Sequence, residues 1–192
     1  NASTREICKE AAILRRERLA GVRAGPYLAS KVVVLFALVL VQSAILLGVV
    51  AVRMSLPADG VLAPAALELF VTIALAGLAG LGLGLGVSAV ASTPDKATSL
   101  IPIVLVPQVL FGGVMFSLHG ATAAASWLVP TRAAVDALSA TVDTNQLGGA
   151  LRFIHEPRYA HTPQVLLVAW ATLVGQALLF GALAWWTLRR RR

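Results

Sequence analysis

Side chains able to do chemistry are few in this sequence, and their spacing argues against most chemistry. His119, His155 and His161 share a polar stretch with Glu156, but no two stand at the i, i+4 separation that aims two ligands from one helical face. No metal site is expected there. Cys8 is the single cysteine, lacks a Cys or His partner at metal spacing, and reads as an inert helix residue. No Ser, His and Asp arrangement stands out for hydrolysis. Gly77, Gly80, Gly82, Gly84 and Gly86 have the density of a phosphate cradle, yet they sit among Leu and Ala without a basic residue. The Gly80–Gly84 and Gly82–Gly86 separations fit close helix packing instead. The only lysines are Lys9, Lys31 and Lys96, none preceded by Gly, so the chain carries no Gly-x-x-x-x-Gly-Lys-Ser/Thr loop. No catalytic residue is assigned.

The elements that hold these residues are set by composition. Of 192 residues, 58% are hydrophobic and 13% charged, with a mean hydropathy of +0.81. Soluble domains carry about 25% charge and about 45–50% apolar residues, and disorder needs low hydrophobicity with high charge. An all-α polytopic membrane protein is expected. A helix needs about 20 apolar residues to cross the hydrocarbon core, and four runs are read as spans, at 32–52, 65–90, 100–118 and 164–188, with Pro102 and Pro107 kinking the third. Glu68 stands near enough to the start of the second to reach the headgroups. None of the four has a charged residue in its middle, which weakens a proton-coupled reading.

A net charge of +7 would point to nucleic acid in a soluble chain, but here the basic residues flank the apolar runs. With four spans, twelve of the sixteen Lys and Arg fall on the side of the termini. The positive-inside rule places both termini in the cytoplasm and the 119–163 loop outside, and no nucleic-acid partner is expected. Asn1 opens the chain without a signal-peptide pattern, so the sequence is expected to be the downstream part of a longer polypeptide.

Residues 1–30 form a separate cytosolic unit ahead of the transmembrane domain, 31–192. Ser3 and Glu6 have capping-box spacing, and Gly21 with Gly25-Pro26 supplies a stop, so residues 4–20 are expected to form one helix. Ile7, Ala11 and Leu14 share a face; Glu6, Glu10 and Glu17 make a stripe on one flank, and Arg5, Lys9 and Arg16 another on the far side. One reading is an interfacial helix binding anionic headgroups. The acidic stripe suits docking on a protein by complementary potential better.

Arg16-Glu17-Arg18-Leu19-Ala20-Gly21, then Pro26-Tyr27-Leu28 and Ser30-Lys31 opening a span, resembles the first cytosolic loop of type 2 ATP-binding cassette (ABC) exporter permeases, especially the G-subfamily-like bacterial transporters. Downstream, Pro107-Gln108 and Phe111-Gly112-Gly113, then Trp127-Leu128, Pro130 and Ala134-Val135-Asp136-Ala137-Leu138, match in the same order. The resemblance implies a coupling helix carrying Arg16, Glu17, Arg18, Gly21 and Tyr27, followed by the last four of six membrane helices. It implies ATP and Mg in a partner ATP-binding cassette, fused upstream or separate, and no cofactor in this chain. It further implies two missing N-terminal membrane helices, a homodimer, and a bacterial inner membrane.

In the outer loop, Ser126 to Val142 surrounds Arg132 and Asp136, whose i, i+4 spacing permits a salt bridge, with apolar residues. The resemblance implies short helices dipping back into the outer leaflet; an interfacial helix anchored by Trp127 is the alternative. Gln108 and Phe111 lie on nearly one face of the third span and are read as lining a translocation path, unless Gln108 only bonds a neighbouring helix. The expected function is outward movement of a lipid or amphipathic substrate, the alternative a non-transporting membrane scaffold or sensor.

Overall fold

The computed structural model describes residues 24–91, 93–113, 120–147 and 157–190. The helix expected over 4–20, with Arg16, Glu17, Arg18 and Gly21, lies outside the described residues. Long apolar runs cannot leave backbone groups unpaired in lipid, so they form helices. These are α1 (Ala24–Arg53), α2 (Ala65–Val90), α3 (Pro94–Phe111) and α7 (Pro163–Arg190). Between α3 and α7 come the shorter α4 (Ala121–Ser126), α5 (Pro130–Thr141), α6 (Thr144–Leu147) and a 3-10 turn at Pro157–Tyr159. The described residues contain no named β-strand, and the architecture is that of an all-α polytopic membrane protein.

The first span starts earlier than the sequence implies, because α1 is already helical at Ala24. Gly25-Pro26, read as a stop, instead lies within the first turn of α1, where a missing N–H costs nothing. Tyr27 belongs to this turn; its side chain lies outside the described residues.

Among the described residues, three helices are long and apolar enough to cross a membrane by themselves: Ala29–Arg53, Ala65–Val90 and Pro163–Arg190. The run at 100–118 is helical only as far as Phe111 among the described residues. Thr93 caps α3 by accepting from the Lys96 amide at 3.3 Å, Pro94 occupies its first turn, and the helix continues through Pro102 and Pro107. It ends at Gly112, and Gly113 turns out of helical geometry with φ +77°.

The centre of the bundle is α2. On one side of the membrane Leu81, Leu85 and Ala89 pack with Ala184 and Leu188 of α7, and Val32, Leu35, Phe36 and Val39 of α1 cover them. The start of α1 and the ends of α2 and α7 therefore share one side. Gly82 permits the close approach of α2 to α7, since a Cβ there would stand 3.2 Å from the Ala177 carbonyl oxygen and 3.3 Å from Phe180 Cβ. Of the Gly80–Gly84 pair, Gly84 is buried. Both line an open cleft, and a Cβ on Gly80 would meet no heavy atom within 4 Å.

Candidate functional site

The described part of the 119–163 segment does not lie on the surface as a polar loop; α4 and α5 form a helix-turn-helix hairpin in which α5 packs against both α2 and α7. Ala133, Ala137 and Ala140 recur at helical spacing along α5 and are buried. Ala133 packs with Ala79 of α2 and Leu173 of α7, while Ala137 packs with Leu166 and Ala169 of α7. Small residues let the backbones close up where lipid offers no hydrophobic drive. At 1.5 Å per residue, Ala79 is about 21 Å from the Ala65 end of α2, and Leu173 about 15 Å from the Pro163 end of α7. Against a hydrocarbon core of about 30 Å, the hairpin tip sits near mid-depth.

Non-helical backbone at that depth must be satisfied by protein. Gln176, 6% exposed, donates its Nε2 to the Trp127 carbonyl oxygen at 2.7 Å. Ser126 Oγ donates to the Ala123 carbonyl at 2.7 Å, and Arg132 Nη1 donates to the same oxygen at 2.7 Å and to Ser126 Oγ. The guanidinium stacks over Trp127, 4.5 Å from the ring centroid. Arg132 pairs with Asp136 across one turn at 3.6 Å, as the spacing permits, and Arg158 pairs with the other carboxylate oxygen at 3.6 Å.

Arg158 also reaches the end of α3. Its Nη2 donates to the Gly113 carbonyl at 2.8 Å and contacts the Tyr159 hydroxyl, which donates to the same carbonyl at 3.0 Å. Glycine is required at 113 on two counts: its φ is positive, and a Cβ would collide with the Arg158 guanidinium.

At the Ala65 end of α2, Glu68 turns inward rather than to the headgroups and is fully buried. Oε1 accepts from the Leu62 and Ala63 amides at 2.6 and 2.8 Å; Oε2 accepts from the Val61 amide at 3.1 Å and the Thr141 hydroxyl at 2.9 Å. One carboxylate thus fixes the α1–α2 loop and the C-terminal end of α5 together. His161 Nδ1 lies 2.7 Å from the Ala140 carbonyl oxygen at the same end. Among the described residues, no three His, Cys, Asp or Glu come together as metal ligands would.

A cleft of about 420 Å³ separates α3 from α1 and α2. Its floor is Gly77, Gly80 and Gly84, and Gln42 of α1 and Gln108 of α3 stand in otherwise apolar walls. Gln108 is half-buried and accepts from Thr131 Oγ1 of the hairpin at 3.0 Å, so one side chain meets both the cleft and α5. Phe111 is half-buried but is not part of the lining. The structure brings Gln108 together with Gln42 and Thr131; it does not bring Phe111 to the same wall.

Sequence reasoning missed Glu68, Thr141, Arg158 and Gln176 as architectural residues. Gln176 carried a usable signal, as a polar side chain midway along a charge-free span. Glu68 carried another, as an acidic residue inside the first turn of an apolar helix. Nothing in the spacing of Arg158 announces its partners, which lie 22 and 45 residues away.

The model of the ABC-2 type transporter family matches residues 5–142. The chain is also 32% identical over 189 residues to an ABC transporter ATP-binding/permease protein of Mycobacterium tuberculosis, covering 96% of this chain and 22% of that relative. It therefore spans about a fifth of the relative's length. Together with its apolar helices, the match over well more than half its length means that the chain belongs to the ABC-2 type transporter family, as a membrane-spanning permease part.

Proposed function

We propose that this permease part works in an ATP-driven exporter that moves a lipid or another amphipathic molecule outward. The observation that carries the reading is the cleft between α1, α2 and α3. It is apolar except for Gln42 and Gln108, and Gln108 ties it to the hairpin through Thr131. An amphipathic molecule needs such a wall, with a few polar groups to orient it and apolar surface for the remainder. The path is completed in a homodimer, with Phe111 as an aromatic contact and with two membrane helices that precede α1.

ATP and Mg belong to a partner cassette, and this chain converts cassette closure into helix movement. Arg16, Glu17, Arg18, Gly21 and Tyr27 dock on that cassette from the cytosolic side of a bacterial inner membrane. The start of α1 and the ends of α2 and α7 share one side, and Lys31, Lys96, Arg189 and Arg190 gather at those ends, which supports cytoplasmic termini. The test is export measured for several substrates in Gln108→Ala and Phe111→Ala variants of the whole transporter. A lining role requires changes that differ between substrates. A uniform loss accompanied by lowered stability would reduce both residues to packing.

A further inference from the structure

The last turns of α7 carry two parallel stripes, each ordered aliphatic, aromatic, cationic. Leu179, Leu183, Trp186 and Arg190 recur at i, i+4, i+7 and i+11, and Leu178, Ala182, Trp185 and Arg189 repeat that spacing one residue earlier. All of these side chains are exposed. The other face of the same turns, Ala184 and Leu188, packs on Leu81, Leu85 and Ala89 of α2. Arg190 lies over the Trp186 ring, 3.8 Å from its centroid, and Arg189 over Trp185 at 5.4 Å.

Depth follows from length. About 20 helical residues cross the hydrocarbon core, and counted from Val165, where the apolar run begins, they end at Ala184. Trp185 and Trp186 therefore stand at the hydrocarbon boundary, where indoles are favoured, and Arg189 and Arg190 reach about 6 Å further, into the headgroup layer. Each stripe has the order of a phospholipid read from its tail: aliphatic groups at acyl depth, an indole at the level of the esters, a guanidinium at the phosphate. A guanidinium that covers a ring with its face keeps its edge N–H groups for oxygen acceptors.

The sign of the charge at this end holds with every residue counted. Segments 1–31, 91–99 and 189–192, which flank the start of α1 and the ends of α2 and α7, contain twelve Lys and Arg against four Asp and Glu. Pairing all four carboxylates still leaves eight cations, whichever of them has a protein partner. Four consecutive arginines, Arg189 to Arg192, directly follow the apolar run, and such clusters attract anionic lipid.

We propose that this face of α7 binds anionic phospholipid from the adjoining leaflet, with acyl chains along Leu178, Leu179 and Leu183 and the phosphate on Arg189 and Arg190. An acidic protein surface offers the same charge but has no use for the aliphatic stripes below the indoles. The site carries no assumption about the transported molecule. Because Ala184 and Leu188 join this end of α7 to α2, and Val32 and Leu35 of α1 cover the joint, the bound lipid sets the level of three helices together.

The test uses the complete transporter, cassette included, in vesicles of equal parts phosphatidylcholine and phosphatidylglycerol. Its native cysteines are replaced by Ser, and Ala182→Cys carries a benzophenone whose adducts after irradiation are identified by mass. Phosphatidylglycerol adducts are expected to exceed phosphatidylcholine adducts by about tenfold or more, as two arginines at an anionic surface imply. Arg189→Gln combined with Arg190→Gln is expected to bring that ratio to about one. Trp186→Leu keeps both charges and is expected to lower the ratio about twofold to fivefold, as loss of an exposed cation–π contact implies. Since the substituted side chains are exposed, thermal stability in neutral detergent should match the wild type, which separates loss of lipid from loss of fold. A wild-type ratio of one, or an unchanged ratio in the double arginine variant or in Trp186→Leu, would overturn the site. Adducts to the cassette or to another membrane helix in place of lipid would assign the face to protein and overturn it equally.

Discussion

Removing the Glu68 carboxylate is expected to be the most damaging single truncation at the Ala65 end of α2. Four donors converge on it: the amides of Val61, Leu62 and Ala63, and the Thr141 hydroxyl. Glu68→Ala leaves all four without their acceptor. Thr141 is 1% exposed and bears the full cost of an unsatisfied buried group, about 1–3 kcal/mol. The three amides are only partly buried, so solvent replaces some of what they lose, and about 0.5–1 kcal/mol each is a reasonable charge against them. The sum is about 2.5–6 kcal/mol. Glu68→Gln keeps an acceptor for two of the amides and places an NH2 where Oε2 stood. There the Thr141 hydroxyl can rotate to accept, but the Val61 amide faces another donor, so about 1–3 kcal/mol is lost. Thr141→Val removes one bond and costs least.

The assay is thermal stability of the purified transporter, with thiol labelling of Leu62→Cys in a Cys8→Ser background as a local probe. The expected order of destabilisation is Glu68→Ala, then Glu68→Gln, then Thr141→Val, with labelling of Leu62→Cys fastest in Glu68→Ala. The Glu68→Gln and Thr141→Val pair should be non-additive by about 0.5–3 kcal/mol, as contacting residues are. Stability of Glu68→Ala equal to wild type, or Glu68→Gln worse than Glu68→Ala, would refute the account of the cage.

Three other outcomes are expected. In a Cys8→Ser background, cysteines at Ser3 and Arg192 should be shielded from a membrane-impermeant thiol reagent in intact cells and one at Thr144 should label; labelling at either terminus would reverse the orientation. Arg16→Ala or Glu17→Ala should uncouple ATP hydrolysis from transport without removing the protein from the membrane, as loss of one member of a docked charge pair costs about 2–5 kcal/mol; unchanged transport in both would end the coupling role. Gly82→Leu should destabilise the bundle by about 1–3 kcal/mol or more through overpacking against Ala177 and Phe180, while Gly80→Leu, which meets open space, should leave stability unchanged and impair transport by narrowing the cleft. Equal stability losses in the two glycine variants would remove the distinction between packed and open faces of α2.

The long helices were legible because lipid imposes a simple rule on sequence: about 20 apolar residues, polar groups at the ends, and satisfied backbone throughout. Val32 to Val52 and Gln164 to Leu188 follow that rule, and α1 and α7 contain them. The third run obeys it less well. Asp95, Lys96 and Gln108 dilute the helix Pro94–Phe111, and Gly113 leaves helical geometry where the composition still reads as apolar. The Arg132–Asp136 pair was legible because both partners lie one turn apart. Glu68 with Thr141 and Gln176 with Trp127 were not, because those contacts join elements 73 and 49 residues apart, and periodicity within one helix carries no information about them. In the cleft, Gln108 was legible as a polar break in an apolar face; its bond to Thr131 required the hairpin to be in place.

The four spans were read as free of charge at their centres, and that remains true of α1, α2 and α7 themselves. Charge nevertheless reaches bilayer depth, carried there by a segment that composition marks as a loop. On α5, Asp136 lies between Ala133, packed against Leu173, and Ala137, packed against Leu166, and Arg132 directly precedes Ala133. Such charges persist in a low-dielectric setting only when paired or bonded to backbone, and both devices are used here. Asp136 stands between two arginines, Ala123 and Gly113 offer carbonyl oxygens, and Trp127 and Tyr159 offer ring faces at 4.5 and 4.6 Å. The partners come from α4, α5, the end of α3 and the Pro157–Tyr159 turn, so no one of these elements is satisfied alone. The hairpin and the end of α3 must therefore enter or leave this arrangement together, and any movement of α3 that widens the cleft has to break or carry with it the Gly113–Arg158 and Gln108–Thr131 bonds.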